Sequence, residues 1–139
     1  MKRSALAAAI VIFSAAAAFA GVQDFGKFSV DVPEGWTAAK DGTATVITNS
    51  GNNASIRVSV ESTKGENIKA IVSRLADSSK AANIKQDGNN FSFTSDVGKE
   101  DEKLYFVKAG DDSYTFVVIT GLDNAPDELS AIMDSITEK

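Results

Sequence analysis

Two consecutive segments in the second half of the chain are apolar on both faces, and this pattern constrains the fold more than any other feature of the sequence. In residues 103–109 (KLYFVKA), a leucine and a phenylalanine fall on one face while a tyrosine and a valine fall on the other. Residues 114–122 (YTFVVITGL) repeat this arrangement, and the tight polar connection Gly110–Ser113 between them predicts a hairpin. Strands of this kind lie in the middle of a sheet that is covered on both sides.

Four further strands are predicted before this hairpin, because apolar and polar residues alternate there or because β-branched residues dominate. They cover residues 28–32, 43–48, 55–61 and 91–94, with an additional short strand over 84–86. The earlier strands with one polar face are expected nearer an edge of the sheet, or less completely covered, than the hairpin.

Two segments change to the helical spacing of apolar residues. The first helix is predicted over 66–81, where Thr63 and Glu66 have the spacing of a capping box and Lys80 suits the end of the helix dipole. The second is predicted over 126–137. The two helices provide the cover that the hairpin strands require. The sequence therefore predicts an α+β fold in which a mainly antiparallel sheet is flanked by helices.

One motif adds a family resemblance to this fold prediction. The segment Phe28-x-Val30-x-Val32-Pro33-x-Gly35-Trp36 resembles the opening signature of PsbP-like domains, in which a strand ends in Pro-x-Gly-Trp. The order of the later elements is similar too, and residues 132–136 (IMDSI) resemble the end of the closing helix in that family. The resemblance implies an α/β/α sandwich of PsbP-like type over nearly the whole of 21–139.

The resemblance implies architecture rather than chemistry. The family includes a photosystem II extrinsic subunit, a Ran-binding nuclear factor and many bacterial exported proteins, which share a fold and no common catalytic motif. No catalytic residue is therefore carried over to this chain. Bacterial members are often lipoproteins, and this chain departs from them because it has no cysteine to carry a lipid.

Residues 1–20 have the three-part pattern of a cleaved export signal. A short positive start (MKR) is followed by an apolar stretch (ALAAAIVIF) and by a small-x-small sequence that ends at Ala20. A membrane span needs about 20 apolar residues, which this stretch does not reach, although an uncleaved anchor helix is the alternative. We therefore expect a signal peptide over 1–20, a single domain over 21–139, and a periplasmic or secreted location.

The absence of cysteine and histidine excludes whole classes of chemistry. Disulfides, thiolate nucleophiles and cysteine metal sites are ruled out, and the commonest general base and transition-metal ligand is missing. Removal of residues 1–20 takes away two basic residues and no acidic one, so the net charge changes from −5 to −7. This acidity argues against nucleic acid and against anionic lipid as partners. No membrane anchor is expected after signal cleavage.

Two acidic clusters have both a structural and a functional interpretation. Residues 99–102 (KEDE) lie close to Asp96 and supply the oxygen ligands that hard cations such as calcium prefer. Their spacing does not match an EF-hand loop, and runs of charge are usually solvated loops. The acidic residues within Gly110–Ser113 are explained by the hairpin turn. No metal site is predicted from either cluster.

Nucleophile and phosphate-binding motifs are also missing. Ser78, Ser79 and Lys80 are adjacent but do not form Ser-x-x-Lys, so they are interpreted as helix-surface residues. The glycines lie at separate turns without phosphate-loop spacing. The chain has 19 acidic residues, which makes chance pairs of carboxylates unavoidable. Asn53-Ala54-Ser55 and Asn90-Phe91-Ser92 fit the glycosylation pattern. The compact positive start of residues 1–20 indicates a bacterial export signal, so both are interpreted as chance matches.

Aromatic residues at strand spacing have two interpretations. They would line an apolar ligand cleft or, as is more common, form the core. The residues concerned are Phe91, Phe93, Tyr105, Phe106, Tyr114 and Phe116.

The sequence thus predicts a non-enzymatic exported module with a binding or accessory role. No catalytic residue, cofactor or metal is expected, and the expected partner is another exported or envelope protein. The alternative is a small-ligand-binding or cation-binding protein that uses a cleft between sheet and helix. An enzyme would instead show a deep pocket with strongly shifted carboxylates or lysine. The sequence leaves strand order and oligomeric state open.

Overall fold

The fold is built from consecutive antiparallel strands with two helices inserted between them. The computed structural model describes residues 21–95 and 103–138. The elements in chain order are β1 (Gly21–Asp24), β2 (Phe28–Val32), β3 (Thr37–Asp41), β4 (Ala44–Thr48), β5 (Ser55–Ser62), α1 (Ile68–Ser78), β6 (Ala81–Asp87), β7 (Asn90–Ser95), β8 (Lys103–Ala109), β9 (Ser113–Thr120), a 3-10 turn (Leu122–Asn124), α2 (Pro126–Ser135) and β10 (Thr137–Glu138).

The strands that are apolar on both faces occupy the middle of the larger sheet. Within the described residues this sheet has seven strands, in the order β3-β4-β5-β9-β8-β7-β6. Every neighbouring pair is antiparallel. The central position of β9, with β8 beside it, confirms the predicted place of these strands, whereas the predicted cover on both sides is incomplete for β8, where Leu104 and Phe106 are only partly buried. The predicted hairpin between them is also confirmed, since the backbone N–H of Gly110 donates to the carbonyl of Ser113 at 2.8 Å.

A second sheet, which the sequence did not predict, lies over the first. Among the described residues it has three strands in the order β1-β2-β10. The side chains of Phe28, Val30 and Val32 alternate inward from β2 and are buried. Trp36 follows the turn after β2 and is buried in the same core. The expectation of a single sheet between two helices was therefore wrong in one respect, because β2 takes part in covering the larger sheet.

The two faces of the seven-stranded sheet are covered over different strands. We call face A the face that carries Val58 and Val117, and face B the face that carries Phe93 and Tyr105. On face A, β2 and α2 pack on β3, β4, β5 and β9, and on face B, α1 packs on β7, β8 and β9. The buried residues of the covering elements include Val30, Val32, Leu129 and Ile132 on face A, and Ile71, Val72 and Ala76 on face B.

This offset leaves half of each face without a cover. Face A over β6, β7 and β8, and face B over β3, β4 and β5, are open as far as residues 21–95 and 103–138 are concerned. The fold class is α+β, with antiparallel sheets flanked by helices, as predicted. The same residues form no helix that is long and apolar enough to cross a membrane.

Helix α1 is shorter than predicted because a different residue caps it. Asn67 is the N-cap, and its side-chain oxygen accepts from the backbone N–H of Lys69 at 2.8 Å. The predicted capping box of Thr63 and Glu66 does not form, because both residues precede the helix. Lys80 lies beyond the last turn with a φ of 54°. The predicted span of 66–81 was thus too long at both ends.

The C-terminal helix was also predicted too long, because part of it is a strand. Helix α2 ends at Ser135, and Thr137–Glu138 pair with β2. The seryl hydroxyl of Ser135 accepts from the backbone N–H of Asp31 at 2.9 Å, which ties the helix end to β2. Strands β1 and β3 were not predicted, and β6 is longer than the predicted 84–86.

Candidate functional site

A groove lies on the open half of face A, between the sheet and the C-terminal end of α2. Its volume is about 660 Å³. Its floor is formed by β7, β8 and β9, one wall by the end of α2 with β10, and the other by the edge strand β6. The side chains that define it are Lys85, Ser92, Phe106, Lys108, Thr115, Met133, Asp134, Ile136 and Glu138. We call this feature the groove.

The cross-strand register explains why these side chains lie together. Lys85 is paired with Ser92, Ser92 with Phe106, and Phe106 with Val117. Residues that are directly opposite on neighbouring strands point to the same face of a sheet, so this row crosses the floor of the groove. A second row runs parallel to it and ends at Thr115.

The floor of the groove continues along β8 and is partly apolar. A neighbouring cavity of about 630 Å³ shares Ser92 and Phe106 with the groove and extends to Leu104. Leu104 and Phe106 are partly buried and pack against the edge of the core on face A. Ile84, at the rim, is 48% exposed. Apolar side chains therefore remain accessible over a continuous strip of the sheet.

The helix side of the groove is apolar at its base. Met133 and Ile136 are partly buried and pack against the same core. Leu129 and Ile132, one turn earlier on α2, are fully buried. The apolar stripe of α2 therefore passes from the core to the groove as the helix ends.

A buried hydroxyl on the groove floor lacks a hydrogen-bond partner among the described residues. Thr115 is 3% exposed, and its Oγ1 is the atom concerned. Thr115 lies opposite Lys108 and two residues before Val117, so its side chain is on the groove side of β9. A buried polar group without a partner costs about 1–3 kcal/mol. The Oγ1 atom is itself buried, so a molecule in the groove could satisfy it only after neighbouring side chains move.

The sheet side of the groove is mainly basic, and the helix side is acidic. Lys85 and Lys108 stand on the sheet side, with Asp87 at the outer end of β6, while Asp134 and Glu138 stand on the helix side. Neither lysine forms an ion pair with any other residue in 21–95 or 103–138. The Glu138 carboxylate accepts a hydrogen bond from the Ser113 hydroxyl.

The edge strand beside the groove is irregular. The register between β6 and β7 shifts between Ala82 and Lys85, and Asn83 has a φ of 59°. Bulges and charged residues at a sheet edge disfavour the addition of another strand. The open face, rather than the β6 edge, is therefore the surface that is suited to binding.

The open half of face B has a different character. A cavity of about 600 Å³ there is lined mainly by hydroxyl and amide side chains of β3, β4, β5 and the loop before β5. Arg57 and Asp41 form an exposed ion pair beside it. The loop is held by Asn49, whose side-chain oxygen accepts from the backbone N–H groups of Asn53 and Ala54 at 3.0 and 3.1 Å. Most of the lining side chains here carry hydroxyl or amide groups, although most of the surface that lines the cavity is apolar.

Most of the aromatic residues singled out from the sequence are core residues, as the commoner interpretation predicts. Phe91, Phe93, Tyr105 and Tyr114 are buried beneath α1 on face B. The rings of Phe93 and Tyr105 are stacked with centroids 5.1 Å apart. Phe106 lies on face A and its side chain lines the groove. Burial raises the pKa of Tyr114, with a further increase from Glu61.

The remaining candidate residues fall into turns and surfaces. The acidic segment at 96–102 lies outside the described residues. Asp111 and Asp112 are exposed in the β8–β9 turn. Ser78 is at the end of α1, where its hydroxyl donates to the carbonyl of Arg74 at 3.0 Å. In the part of the chain that the structure describes, no group of three or more acidic side chains is arranged to hold a metal ion.

Two solved structures match this chain to different extents. The solution structure of cyanobacterial PsbP (CyanoP) from Synechocystis sp. PCC 6803 matches with a TM-score of 0.56 and 16% identity, over 87% of this chain and 94% of that one. A crystal structure from Bacteroides thetaiotaomicron VPI-5482 matches with a TM-score of 0.49 and 12% identity, over 81% of this chain. The match spans 45% of the Bacteroides chain, which is less than half its length. No protein-family model and no curated protein sequence matches this chain.

The similarity to CyanoP supports a PsbP-like fold for this chain. It agrees with the resemblance carried by the segment 28–36, whose Trp36 is buried in the core on face A. At 16% identity the similarity concerns the fold alone. The function has to be argued from the groove.

Proposed function

We propose that this protein is an exported, non-enzymatic binding module that contacts another exported or envelope protein through the groove. The observation that carries the proposal is the incomplete cover of β8. Tyr105 and Val107 are buried under α1 on face B, whereas Leu104 and Phe106 are only partly buried on face A. A strand with two apolar faces and one cover presents a surface that a partner can complete.

The shape of the groove suits a segment of protein. Contiguous apolar patches with a polar rim mark protein interaction sites on many monomers. The strip from Leu104 to Phe106 is flanked by the apolar end of α2 and rimmed by charged residues of both signs. An amphipathic helix or an extended segment would bury this strip while its polar face meets the rim.

The signal pattern in residues 1–20 supports the proposed location. A positive start, an apolar stretch and a small-x-small site are what export and signal cleavage require. We place the cleaved protein in the periplasm or outside the cell, without a lipid anchor, since the chain has no cysteine. An exported protein as partner is consistent with this location.

Site-specific photo-crosslinking in living cells tests the proposal. A crosslinking amino acid is placed at Ser92 on the groove floor and, as a matched control, at Lys40 on the opposite edge strand β3. We expect a discrete product with another exported protein from the Ser92 position and none from the Lys40 position. Co-expression of the unmodified protein should reduce this product, and co-expression of its Phe106→Asp variant should not. Equal products from both positions, or no product from Ser92, would contradict the proposal.

The unpartnered hydroxyl of Thr115 favours a second candidate function, the binding of a small molecule in the same groove. Such a molecule would place an apolar body on Phe106 and, once the side chains that bury the Thr115 Oγ1 move, one hydrogen-bonding group at that oxygen. Ligands that bind the folded state raise the melting temperature. We expect a thermal-shift screen of lipids, sugars, peptides and ions to give a compound whose shift is reduced in Thr115→Val. A screen without any shift would exclude this candidate, including its cation-binding form.

A further inference from the structure

We infer that the groove is covered, when no other partner is bound, by a second copy of this chain, in a symmetric dimer in which α2 of each copy lies on the open half of face A of the other. The inference rests on the proposed function to the extent that it takes the groove as a binding surface. The charges and the shape of the molecule favour a second copy of the chain as the occupant of the groove.

The position of α2 makes such a dimer possible. Helix α2 and β2 cover one half of face A, and the other half is open beside them. A two-fold axis parallel to the sheet, at the border between the two halves, brings α2 of each copy over the open half of the other. Contacts in such an arrangement are made twice, because each copy presents the same surface.

The apolar residues at the border fit this arrangement. Met133 of α2 and Ile136, directly after the helix, line the helix side of the groove, and Phe106 lies on its floor. All three are partly buried in the single chain. Near the two-fold axis these three side chains would contact the same side chains of the second copy. The partly exposed apolar surface of each copy would then be buried.

The charges of the two surfaces are complementary. Asp127, Glu128 and Asp134 make the exposed side of α2 acidic. The open half of face A presents Lys85 and Lys108, which form no ion pair within residues 21–95 and 103–138. In the symmetric dimer the acidic helix of each copy lies against the two lysines of the other. The sheet side also carries Asp87, two residues after Lys85 on β6, so the two lysines outnumber the acidic side chains there.

Other surfaces of the described chain suit a second copy less well. The β6 edge carries a register irregularity and charged residues. The open half of face B also has an apolar lining surface, but its charged pair, Arg57 and Asp41, is already formed within the chain. Among the described residues, the groove is where accessible apolar side chains coincide with two lysines that form no ion pair.

Self-association of this kind would regulate access to the groove. The second copy and the exported partner would compete for the same strip, so that partner binding replaces one protein surface with another. The apolar residues would then stay covered in both states.

Sedimentation equilibrium of the purified chain after signal cleavage tests the inference, with paired charge reversals. We expect the wild-type protein to shift from monomer to dimer across about two decades of concentration. The double variant Lys85→Glu/Lys108→Glu and the single variant Asp134→Lys should each weaken dimerisation by at least about tenfold, because like charges then face each other. An equimolar mixture of the two variants should restore the dimer, since each reversed surface then meets its opposite.

The chain offers closely matched controls. Lys40 is an exposed lysine on the other edge strand of the sheet, and Asp77 is the next-to-last residue of α1, as Asp134 is of α2. Lys40→Glu and Asp77→Lys should dimerise like the wild type. Thermal melts followed by circular dichroism check that each variant is folded.

Three outcomes would overturn the inference. The wild type could stay monomeric over the whole concentration range, the charge-reversed variants could dimerise like the wild type, or their mixture could fail to form the dimer. A monomeric wild type together with a Ser92-specific crosslink to another protein would leave the proposed function intact. Suppose that the mixture of the two reversed variants restores the dimer but Ser92 gives no crosslink to another protein. This result would support the dimer and contradict the proposed partner.

Discussion

The backbone of Gly121 lies against the carbonyl oxygen of Asn53, so closely that a Cβ built on residue 121 would be 2.0 Å from that oxygen. The same oxygen accepts a hydrogen bond from the side-chain amide of Asn124 at 2.8 Å. Gly121 has a φ of 75°, in the left-handed region that favours glycine. This contact joins the end of β9 to the loop before β5 and directs the chain toward α2, which forms a wall of the groove.

Gly121→Ala should therefore be strongly destabilising. We expect the free energy of unfolding to fall by about 3 kcal/mol, since a left-handed non-glycine residue costs about 1–2 kcal/mol and the clash with backbone adds to this. Gly88→Ala is the control, because Gly88 has a φ of 62° but open space around its Cβ position. That variant should lose about 1 kcal/mol. Urea denaturation measures both, and equal losses would show that the contact with Asn53 is unimportant.

The first helix provides a second prediction. Asn67→Ala removes the side chain that caps α1 and should cost about 1 kcal/mol in urea denaturation. Thr63→Ala, at the position that the capping-box spacing indicated, should change stability by less than about 0.5 kcal/mol, as surface substitutions usually do. A larger loss of stability for Thr63→Ala than for Asn67→Ala would mean that the helix begins earlier in solution.

The ion pair between Arg74 and Glu66 predicts a pH dependence. The Arg74 guanidinium donates to the Glu66 carboxylate at 2.5 Å, and this hydrogen bond lowers the pKa of Glu66 below its ordinary value of 4.5. A carboxylate with a lowered folded-state pKa contributes stability above its unfolded pKa, and the contribution is lost as the pH falls through the folded pKa. The ion pair thus adds a small increment to the stability of the wild type, which is lost as the pH falls below 4.5. Arg74→Gln has no such increment at any pH.

Carbon-detected NMR titration checks this prediction directly. In Arg74→Gln the pKa of Glu66 should rise toward its ordinary value. The pKa of Tyr114, which burial raises and the Arg74 charge lowers, should rise further. High salt should reduce the difference between the proteins, because both partners are exposed. An unchanged Glu66 titration would exclude the ion pair in solution.

The two faces of the sheet predict different costs for loss of an aromatic ring. Phe93 is 1% exposed and stacks on Tyr105, so Phe93→Ala should cost about 3–5 kcal/mol. Phe106 is only partly buried, and Phe106→Ala should cost about 1–2 kcal/mol while it abolishes binding in the groove. Urea denaturation and sedimentation compare the two variants. Equal losses of stability would mean that the groove floor is closed in solution.

The central position of β8 and β9 could be predicted because both faces of these strands carry apolar side chains, a pattern that is typical of the middle of a sheet. The pattern does not show that β8 is completely covered on only one of its faces. What covers each face depends on packing between distant elements. The pattern gave no sign that β2 would share face A with α2, or that the cover would stop before Phe106.

Strands β1, β3 and β10 could not be predicted because their own residues have no strand signal. Residues 37–41 (TAAKD) are poor in β-branched residues and form a strand through register with β4. Residues 137–138 continue the helical spacing of α2, yet they pair with β2, which is more than 100 residues away in the sequence. Pairing of this kind is set by the tertiary structure.

The groove residues were only partly accessible to sequence reasoning. Phe106 was among the aromatic candidates, whereas Thr115, Met133 and Ile136 were not singled out as site residues. Met133 and Ile136 follow the same stripe as the buried Ile132, and spacing cannot show where a stripe leaves the core. The polar face of β7 beside the apolar face of β8 was the one available signal of an open surface.

The pairing of β5 with β9 has a consequence for the order of folding. Strands β3, β4 and β5 form one consecutive run, and β6, β7, β8 and β9 form another. The runs meet where Ser55–Ser62 lie beside Ser113–Thr120, so this seam requires closure of the chain between residues 62 and 113. Non-local closure of this kind is slow compared with formation of adjacent hairpins. The middle of the sheet is thus expected to form last, and cutting the chain at the exposed turn near residues 64–65 would make the folding rate depend on concentration.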